Sequence, residues 1–292
     1  YMAVCFDSKE KTRRQEKFAA YKIHRPSMPE DLRSQIPIIK DVMEAFNIPI
    51  FELGGFEADD LIATISKKFA GKDLEVVIVS DDKDMYQLAD KNIKFFESKD
   101  GVILDAQGVK EKLGFDPRQI IDFIGLAGDA TDNIPGVKGI GKVNALQLIS
   151  KYGTLEAILK EFKKIKSPSA KEQLIIDQEK EARLSKELAV LDASVPFSYG
   201  LDHLKVQEPN SRRLFEIFQE LEFRKLAEEF DAKEPASVHT RSVKSASDIK
   251  NLLKEIEKKK QFAFTIDGQN DGGLFSDQTV FVALGEQDVF AV

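Results

Sequence analysis

The 292-residue sequence has no tryptophan, a single cysteine and three histidines. Cys5 therefore cannot close an internal disulfide, and no Cys/His cluster offers a zinc site. Long apolar runs are absent too: none approaches the ~18–20 residues that span a bilayer, so no membrane partner is expected. Tyr1 to Phe6 is a short apolar run that meets charge at Asp7, without the basic start or small-residue cleavage site of a signal peptide. These absences fit a reducing cytoplasm. Net positive charge is also missing: 43 Lys and Arg stand against 50 Asp and Glu. A net charge of −7 argues against a uniformly basic nucleic-acid binder. What is present, 42% hydrophobic and 32% charged residues, suits a soluble protein with a sizeable core.

The distribution of charge says more than its sum. From Lys9 to Arg25, seven basic residues (Lys9, Lys11, Arg13, Arg14, Lys17, Lys22 and Arg25) face two glutamates, a local +5. The acids gather elsewhere in tight groups. A basic arm beside an acidic pocket suits an enzyme that holds both phosphates and metal. The chain opens inside one strand-like run, Tyr1–Phe6, and stops inside another, Val289–Val292, so truncation at both ends is expected.

Tyr1–Phe6 reads as a buried strand, Ile36–Phe46 as a helix, Ile48–Leu53 as a short strand closed by Gly54-Gly55, and Glu57–Phe69 as a helix. The apolar run in Glu75–Val79 predicts a strand buried on both faces. A short helix over Asp84–Leu88 and a strand over Ile93–Phe96 follow. Strands alternating with helices predict a parallel α/β sheet. From Pro117 to about Phe230 the pattern is helical, with a glycine-rich turn at Ile134–Lys142 ahead of a helix over Val143–Lys151. Residues 232–242 have linker composition. Ala246–Lys260 reads as a charged amphipathic helix, and Gln261–Ile266 and Thr279–Leu284 as strands of a partial second domain.

Four acidic groups sit where strands or turns end: Asp7; Glu57, Asp59 and Asp60; Asp81, Asp82 and Asp84; and Asp129 with Asp132. Ligands of open α/β sheets bind at the carboxyl ends of the strands, so at least two groups should share one edge. Crowded carboxylates stay ionised only beside bound cations, or else take up protons. An all-oxygen donor set suits Mg2+ or Mn2+, and such ions support two-metal phosphoryl chemistry. The residues alone leave a plainer reading open. Each Asp after a strand is equally a helix cap or turn former, and spacing does not prove that the groups converge.

Five stretches, in this order, carry a resemblance: Ala3–Asp7, Tyr21-Lys22-Ile23-His24-Arg25-Pro26, Gly55-Phe56-Glu57-Ala58-Asp59-Asp60, Ser80–Leu88, and Leu126–Gly141, where an Asp-x-x-Asp runs into a helix-hairpin-helix turn. Together they resemble the 5′-nuclease, flap endonuclease-like family found at the start of bacterial DNA polymerase I, from Tyr1 to about Phe230. The resemblance implies a parallel-sheet α/β nuclease core of PIN/resolvase-like type over residues 1–116, with a basic helical arch at 8–35. It further implies a helical region with the hairpin over 117–231, a linker at 232–242, and a partial α/β 3′–5′ exonuclease-like domain over 243–292. Metal ligands are implied at Asp7, Glu57, Asp59, Asp60, Asp82, Asp84, Asp129 and Asp132, whereas Asp81 stands where the family does not require an acid. By the same resemblance Lys22 and Arg25 are catalytic cations facing the scissile phosphate, Arg14 is a phosphate contact and Tyr21 stacks a terminal base. Gly136, Lys138, Gly139, Gly141 and Lys142 would take duplex phosphates, with K+ bridging at the hairpin.

The implied activity is hydrolysis of DNA phosphodiesters at 5′ flaps, nicks or junctions, with two or more Mg2+ or Mn2+ ions. Its implied setting is primer removal and repair, by a monomer in the bacterial nucleoid. The family's first strand carries a further aspartate, in an Asp-Gly motif that would precede Tyr1, so weak nuclease activity is expected of the chain as it stands. In the tail, Phe264-Thr265-Ile266-Asp267-Gly268 puts Thr265 where an active proofreading domain has its first acid, so an inactive remnant is expected. Two other readings stay open: a non-catalytic DNA-binding piece with structural acids, and a related RNA-directed nuclease.

Overall fold

The computed structural model describes residues 1–230, 239–259, 262–267, 279–283 and 288–291. They fall into two compact units, Tyr1–Pro209 and Asn210–Val292. In the first unit, strands β1 (Val4–Cys5), β2 (Ile50–Phe51), β3 (Val76–Val79), β4 (Ile93–Glu97) and β5 (Val102–Leu104) are interleaved with helices α1 (Arg13–Lys17), α2 (Glu30–Ala45), α3 (Ala58–Phe69) and α4 (Ala106–Leu113). Helices α5 (Ile120–Ala127), α6 (Lys142–Tyr152), α7 (Leu155–Phe162), α8 (Ala170–Asp177) and α9 (Glu179–Ala189) follow.

β1 and β2 pair in parallel, with Val4 opposite Ile50. β3 and β4 also pair in parallel, with Ile78 opposite Phe95, and β5 joins β4 antiparallel. The two pieces of sheet are separate, and α3 packs on β1 of one and on β3 of the other. One helix thus carries the carboxyl ends of both pieces past the start of its own first turn, which is where the acids lie.

Two strand expectations need correction. Only Ile78 of β3 is buried, while Val77 and Val79 are 41% and 67% exposed. Successive side chains of a strand take opposite faces: Ile78 turns with Phe95 onto the core, and Val77 and Val79 share the other face, which is exposed. The strand expected over Tyr1–Phe6 shrinks to two half-buried residues, with Tyr1 and Met2 exposed.

The larger core joins the β3–β5 sheet to the helices, and a second, around Phe51, Phe56, Leu61, Val195 and Leu204, packs on β1 and β2. Ile78, Met85, Ile93 and Phe95 pack with Ile124 and Leu126 of α5, Ile149 of α6, Ile158 of α7 and Leu188 of α9. Each such side chain contributes about 1.5–3 kcal/mol by leaving water. α5 and α9 pack closely because Gly125 has no side chain: a Cβ there would stand 3.2 Å from Ala182 O. Their seam is also held by Lys186, which donates to buried Asp122 at 2.6 Å and to Glu156 at 2.7 Å.

The second unit holds α10 (Ser211–Glu220), α11 (Arg224–Phe230), β6 (His239–Ser242), α12 (Ala246–Lys259), β7 (Ala263–Asp267), β8 (Thr279–Ala283) and β9 (Asp288–Ala291). Its sheet runs β6-β9-β8-β7, with β6 and β9 parallel and the other pairs antiparallel. Of the stretch read as a linker, residues 232–238 lie outside the described residues and His239–Ser242 forms β6. Thr265 and Asp267 fall on β7, but their side chains, and Gly268, lie outside the described residues.

Candidate active site

Each acidic group is placed by local structure. Asp7 follows β1, and its Oδ1 accepts the Ala58 N–H at 2.7 Å, so this carboxylate sits on the positive end of α3. Gly55, at φ 83°, makes the turn that delivers Glu57 and Asp59 to the same place. Asp82 caps the 3-10 turn Lys83–Leu88 by accepting the Asp84 N–H at 2.9 Å. Beyond α5, Asp129 and Ile134 exchange both backbone hydrogen bonds, at 2.9 and 2.7 Å. That closes a tight loop carrying Asp129 and Asp132.

The groups lie within electrostatic reach of one another. The Asp59 carboxyl is pushed up to about 6, first by burial and then by Asp82, with Asp7 and Glu57 adding and Lys22 opposing. Asp84 is pushed up to about 7 by burial, then by Asp82, Asp129, Asp132 and Asp59. Burial is the larger cause of both shifts, and the acids that add to it face Asp59 and Asp84 across a weakly screened site. Asp7, Glu57, Asp59, Asp82, Asp84, Asp129 and Asp132 therefore share one basin.

Asp60 does not belong to that basin. Its carboxylate takes Arg14 Nη1 and Nη2 at 2.8 and 2.7 Å, the Asp192 N–H at 2.9 Å and the Glu57 N–H at 3.2 Å. Arg14 also meets Glu57 Oε2 at 3.3 Å and donates to the carbonyls of Leu188 and Val190. Burial opposes the Arg14 charge, but the bond and the charge of Asp60 outweigh it and raise its pKa. The expected ligand and the expected phosphate contact are occupied with each other. Together they tie α3 to the segment after α9.

The basic arm reaches the basin through its base. Lys22 Nζ lies 2.8 Å from Glu57 Oε2 and 3.7 Å from Asp132 Oδ2, and Arg25 Nη2 lies 2.5 Å from Asp132 Oδ1. Tyr21 is 4% exposed, so its ring offers no face for a base to stack on. Its hydroxyl points instead at Asp132 Oδ2, 3.1 Å away, and at Glu57 Oε2, 3.3 Å away.

At the hairpin the expected residues divide. Gly136 is buried, donates its N–H to Ser185 Oγ at 2.9 Å, and has φ 62°. The Lys138 N–H is likewise spent, on Gln178 Oε1 at 2.8 Å. Gly139, Gly141, Lys142 and the Lys138 side chain remain on the exposed rim. Val143, 71% exposed beside them, was not foreseen; its high exposure shows only once the helix face is known. Asp192, which anchors Asp60, gave no signal in the sequence either.

Among the described residues, no three His, Cys, Asp or Glu side chains form a ready coordination shell. Lys22 and Arg25 hold Glu57 and Asp132 in ion pairs instead. The donor chemistry nevertheless fits a hard divalent cation: every donor is a carboxylate oxygen, and burial, with the neighbouring acids adding to it, holds Asp59 and Asp84 above the usual carboxylate range, a cost that a bound cation would relieve.

Comparison with known proteins agrees with this layout. Residues 1–114 match the N-terminal resolvase-like domain of 5′–3′ exonucleases, and residues 115–212 match their C-terminal SAM fold. The 5′–3′ exonuclease of Aquifex aeolicus is 36% identical over 233 residues, covering 79% of this chain and 78% of that protein. DNA polymerase I of Caldicellulosiruptor bescii is 39% identical over 264 residues, covering 88% of this chain but 31% of the polymerase. Among solved structures, the bacteriophage T5 5′-exonuclease with divalent metal ions (zinc) bound superposes with a TM-score of 0.56 at 21% identity, covering 78% of this chain and 82% of that one. A T5 flap endonuclease complex with DNA and metal ions gives 0.53 at 20% identity over the same shares, and both likenesses are of fold. With its acidic basin at the seam of a resolvase-like sheet and a helical hairpin region, the chain belongs to the 5′–3′ exonuclease family.

Proposed function

We propose that this chain hydrolyses DNA phosphodiesters at 5′ flaps, nicks and junctions, as the 5′-nuclease part of a DNA polymerase I acting in primer removal and repair. The observation that carries the proposal is the buried acidic basin with Lys22 and Arg25 at hydrogen-bond distance from Glu57 and Asp132. The metal-bound and DNA-bound T5 structures share this fold and support the reading. Bound divalent cations, two or more and Mg2+ or Mn2+ in this reading, would supply an ionised water and neutralise charge at the scissile phosphate. Asp7, Glu57, Asp59, Asp82, Asp84, Asp129 and Asp132 would hold them. Lys22 and Arg25, now on Glu57 and Asp132, are the donors placed to turn onto phosphoryl oxygens. The exposed rim of Gly139, Gly141, Lys142 and the Lys138 side chain would hold duplex phosphates without reading sequence, with K+ as the bridging ion.

The test is release of a 5′ flap from branched DNA in Mg2+ or Mn2+, against EDTA as background. Lys22→Ala should slow cleavage by two orders of magnitude or so while leaving binding nearly intact, as expected for a lost transition-state contact. Binding without cleavage in either metal would favour a DNA-binding piece, and preference for an RNA flap would favour a ribonuclease. Loss of duplex affinity on replacing K+ by a bulky organic cation would support the hairpin ion. Sedimentation would check the monomer, and imaging in cells the proposed nucleoid location.

A further inference from the structure

We propose that Tyr21 is a positioning residue whose hydroxyl fixes the spacing of Glu57 and Asp132, so that acids from two parts of the fold serve the same ions. The proposal rests on the metal-dependent reading above. Glu57 belongs to the start of α3 and Asp132 to the loop after α5, and no hydrogen bond between their own side chains holds them together among the described residues. The Tyr21 oxygen lies between them, 3.1 Å from Asp132 Oδ2 and 3.3 Å from Glu57 Oε2. A phenol with an ordinary pKa of about 10 is a donor at neutral pH. Its one proton, shared between two carboxylates, works beside the Lys22 ammonium, 2.8 Å from Glu57 Oε2 and 3.7 Å from Asp132 Oδ2: the charge offsets most of their repulsion, and the rigid phenol fixes their separation.

The backbone is arranged for this contact. Successive side chains normally diverge, yet Tyr21 and Lys22 both reach Glu57 Oε2. Lys22 allows it by adopting φ 56°, a left-handed value uncommon outside glycine. The distortion is pinned from the other side. The Lys22 N–H donates to Asp132 O at 2.9 Å, and Asn133 Nδ2 donates to Ala20 O at 2.7 Å. Asn133 is itself left-handed, at φ 56°. Two strained residues and three kinds of hydrogen bond hold one buried hydroxyl against two acids of the basin. A ring placed for stacking on DNA needs none of this, and this ring is covered.

Tyr21→Phe keeps a stacking ring and removes only the hydroxyl, whereas Tyr21→Leu removes both. Mn2+ affinity is read by calorimetry without DNA, with circular dichroism and melting as checks of fold. Outer partners of ligating carboxylates typically govern metal affinity by roughly 10–100-fold. Both variants should lose that much Mn2+ affinity, and in cleavage the Phe variant should lose kcat with KM for DNA unchanged. A Phe variant with wild-type Mn2+ affinity overturns the proposal, as does one whose only defect is a raised KM. A wild-type chain that binds no Mn2+ overturns it as well. A wild-type chain that binds Mn2+ but cleaves nothing sinks the nuclease reading and leaves the calorimetric comparison to decide on Tyr21. Should the Phe variant melt early, wild-type protein labelled with 3-fluorotyrosine gives a second measure. The Tyr21 signal, assigned by its loss in Tyr21→Phe, should broaden most of the five on stoichiometric Mn2+, and a Tyr21 signal that stays sharp would refute the contact.

Discussion

Two neighbouring aspartates show how little residue type says about role. Asp59 and Asp60 are adjacent on α3, and the resemblance assigns metal to both, yet they meet different partners. Asp59 looks into a crowd of acids, and Asp60 looks onto a guanidinium. Spacing could not separate them, because the partners of Asp60 lie at Arg14 and Asp192, far away in sequence. The same distance hid the buried hydroxyl of Tyr21. Substitution should separate the roles. Asp60→Asn takes from buried Arg14 its two-pronged carboxylate partner and leaves only Glu57 Oε2, at 3.3 Å, as counter-charge; breaking a buried pair in this way typically costs about 3–5 kcal/mol. Asp129→Asn keeps the acceptor that holds the Thr131 N–H and removes one of the charges that raise Asp84. In EDTA it should leave stability unchanged or raise it, by urea unfolding. A large loss from Asp129→Asn would mean that the basin is an ordinary capped loop.

Whole elements were more legible than residues, and their misreadings have local causes. The helices over Glu57–Phe69 and Val143–Lys151 reappear as α3 and α6 because caps and apolar period agree. α2 begins at Glu30, earlier than its apolar pattern, because its first turns are charged and exposed and Pro37 lies inside it. β5 escaped notice although Asp100-Gly101, with Gly101 at φ 64°, is a hairpin signal. The hairpin after α5 shows why a glycine-rich motif is two things at once. A Cβ on Gly136 would meet Gly128 N at 2.3 Å at a left-handed φ, whereas one on Gly141 meets nothing within 4 Å. Gly136→Ala should therefore cost upwards of about 2 kcal/mol in unfolding experiments, as a strained backbone with a direct clash. Gly141→Ala should stay within about 0.5 kcal/mol of wild type, as a surface change does, and weaken duplex binding. Equal destabilisation by the two would show that the rim is packed and not open to phosphate.

At the scale of the molecule, a net charge of −7 sits in a protein read as DNA-binding because the acids are concentrated where cations are needed. The cost of that concentration has a definite pH dependence. Asp59 and Asp84 titrate near 6 and 7 in the folded chain, against an ordinary 3.8. Between these limits the folded state holds protons that the unfolded state has released, so the two carboxyls favour folding at the acid end. That contribution is complete below about pH 4 and is lost as pH rises through 6 and 7. Metal-free protein should therefore become less stable from about pH 5 to about pH 7.5, by at least ~1 kcal/mol, one pKa unit being worth about 1.4 kcal/mol. Added Mg2+ should flatten the slope, because a cation that binds the ionised basin replaces those protons and stabilises the folded state by mass action. Asp84→Asn should flatten it without metal. Urea midpoints across this range, in EDTA and in Mg2+, measure the slope directly. A metal-free stability that rises with pH through the same range would show that Lys22 and Arg25 alone neutralise the basin, and would remove the electrostatic case for bound ions.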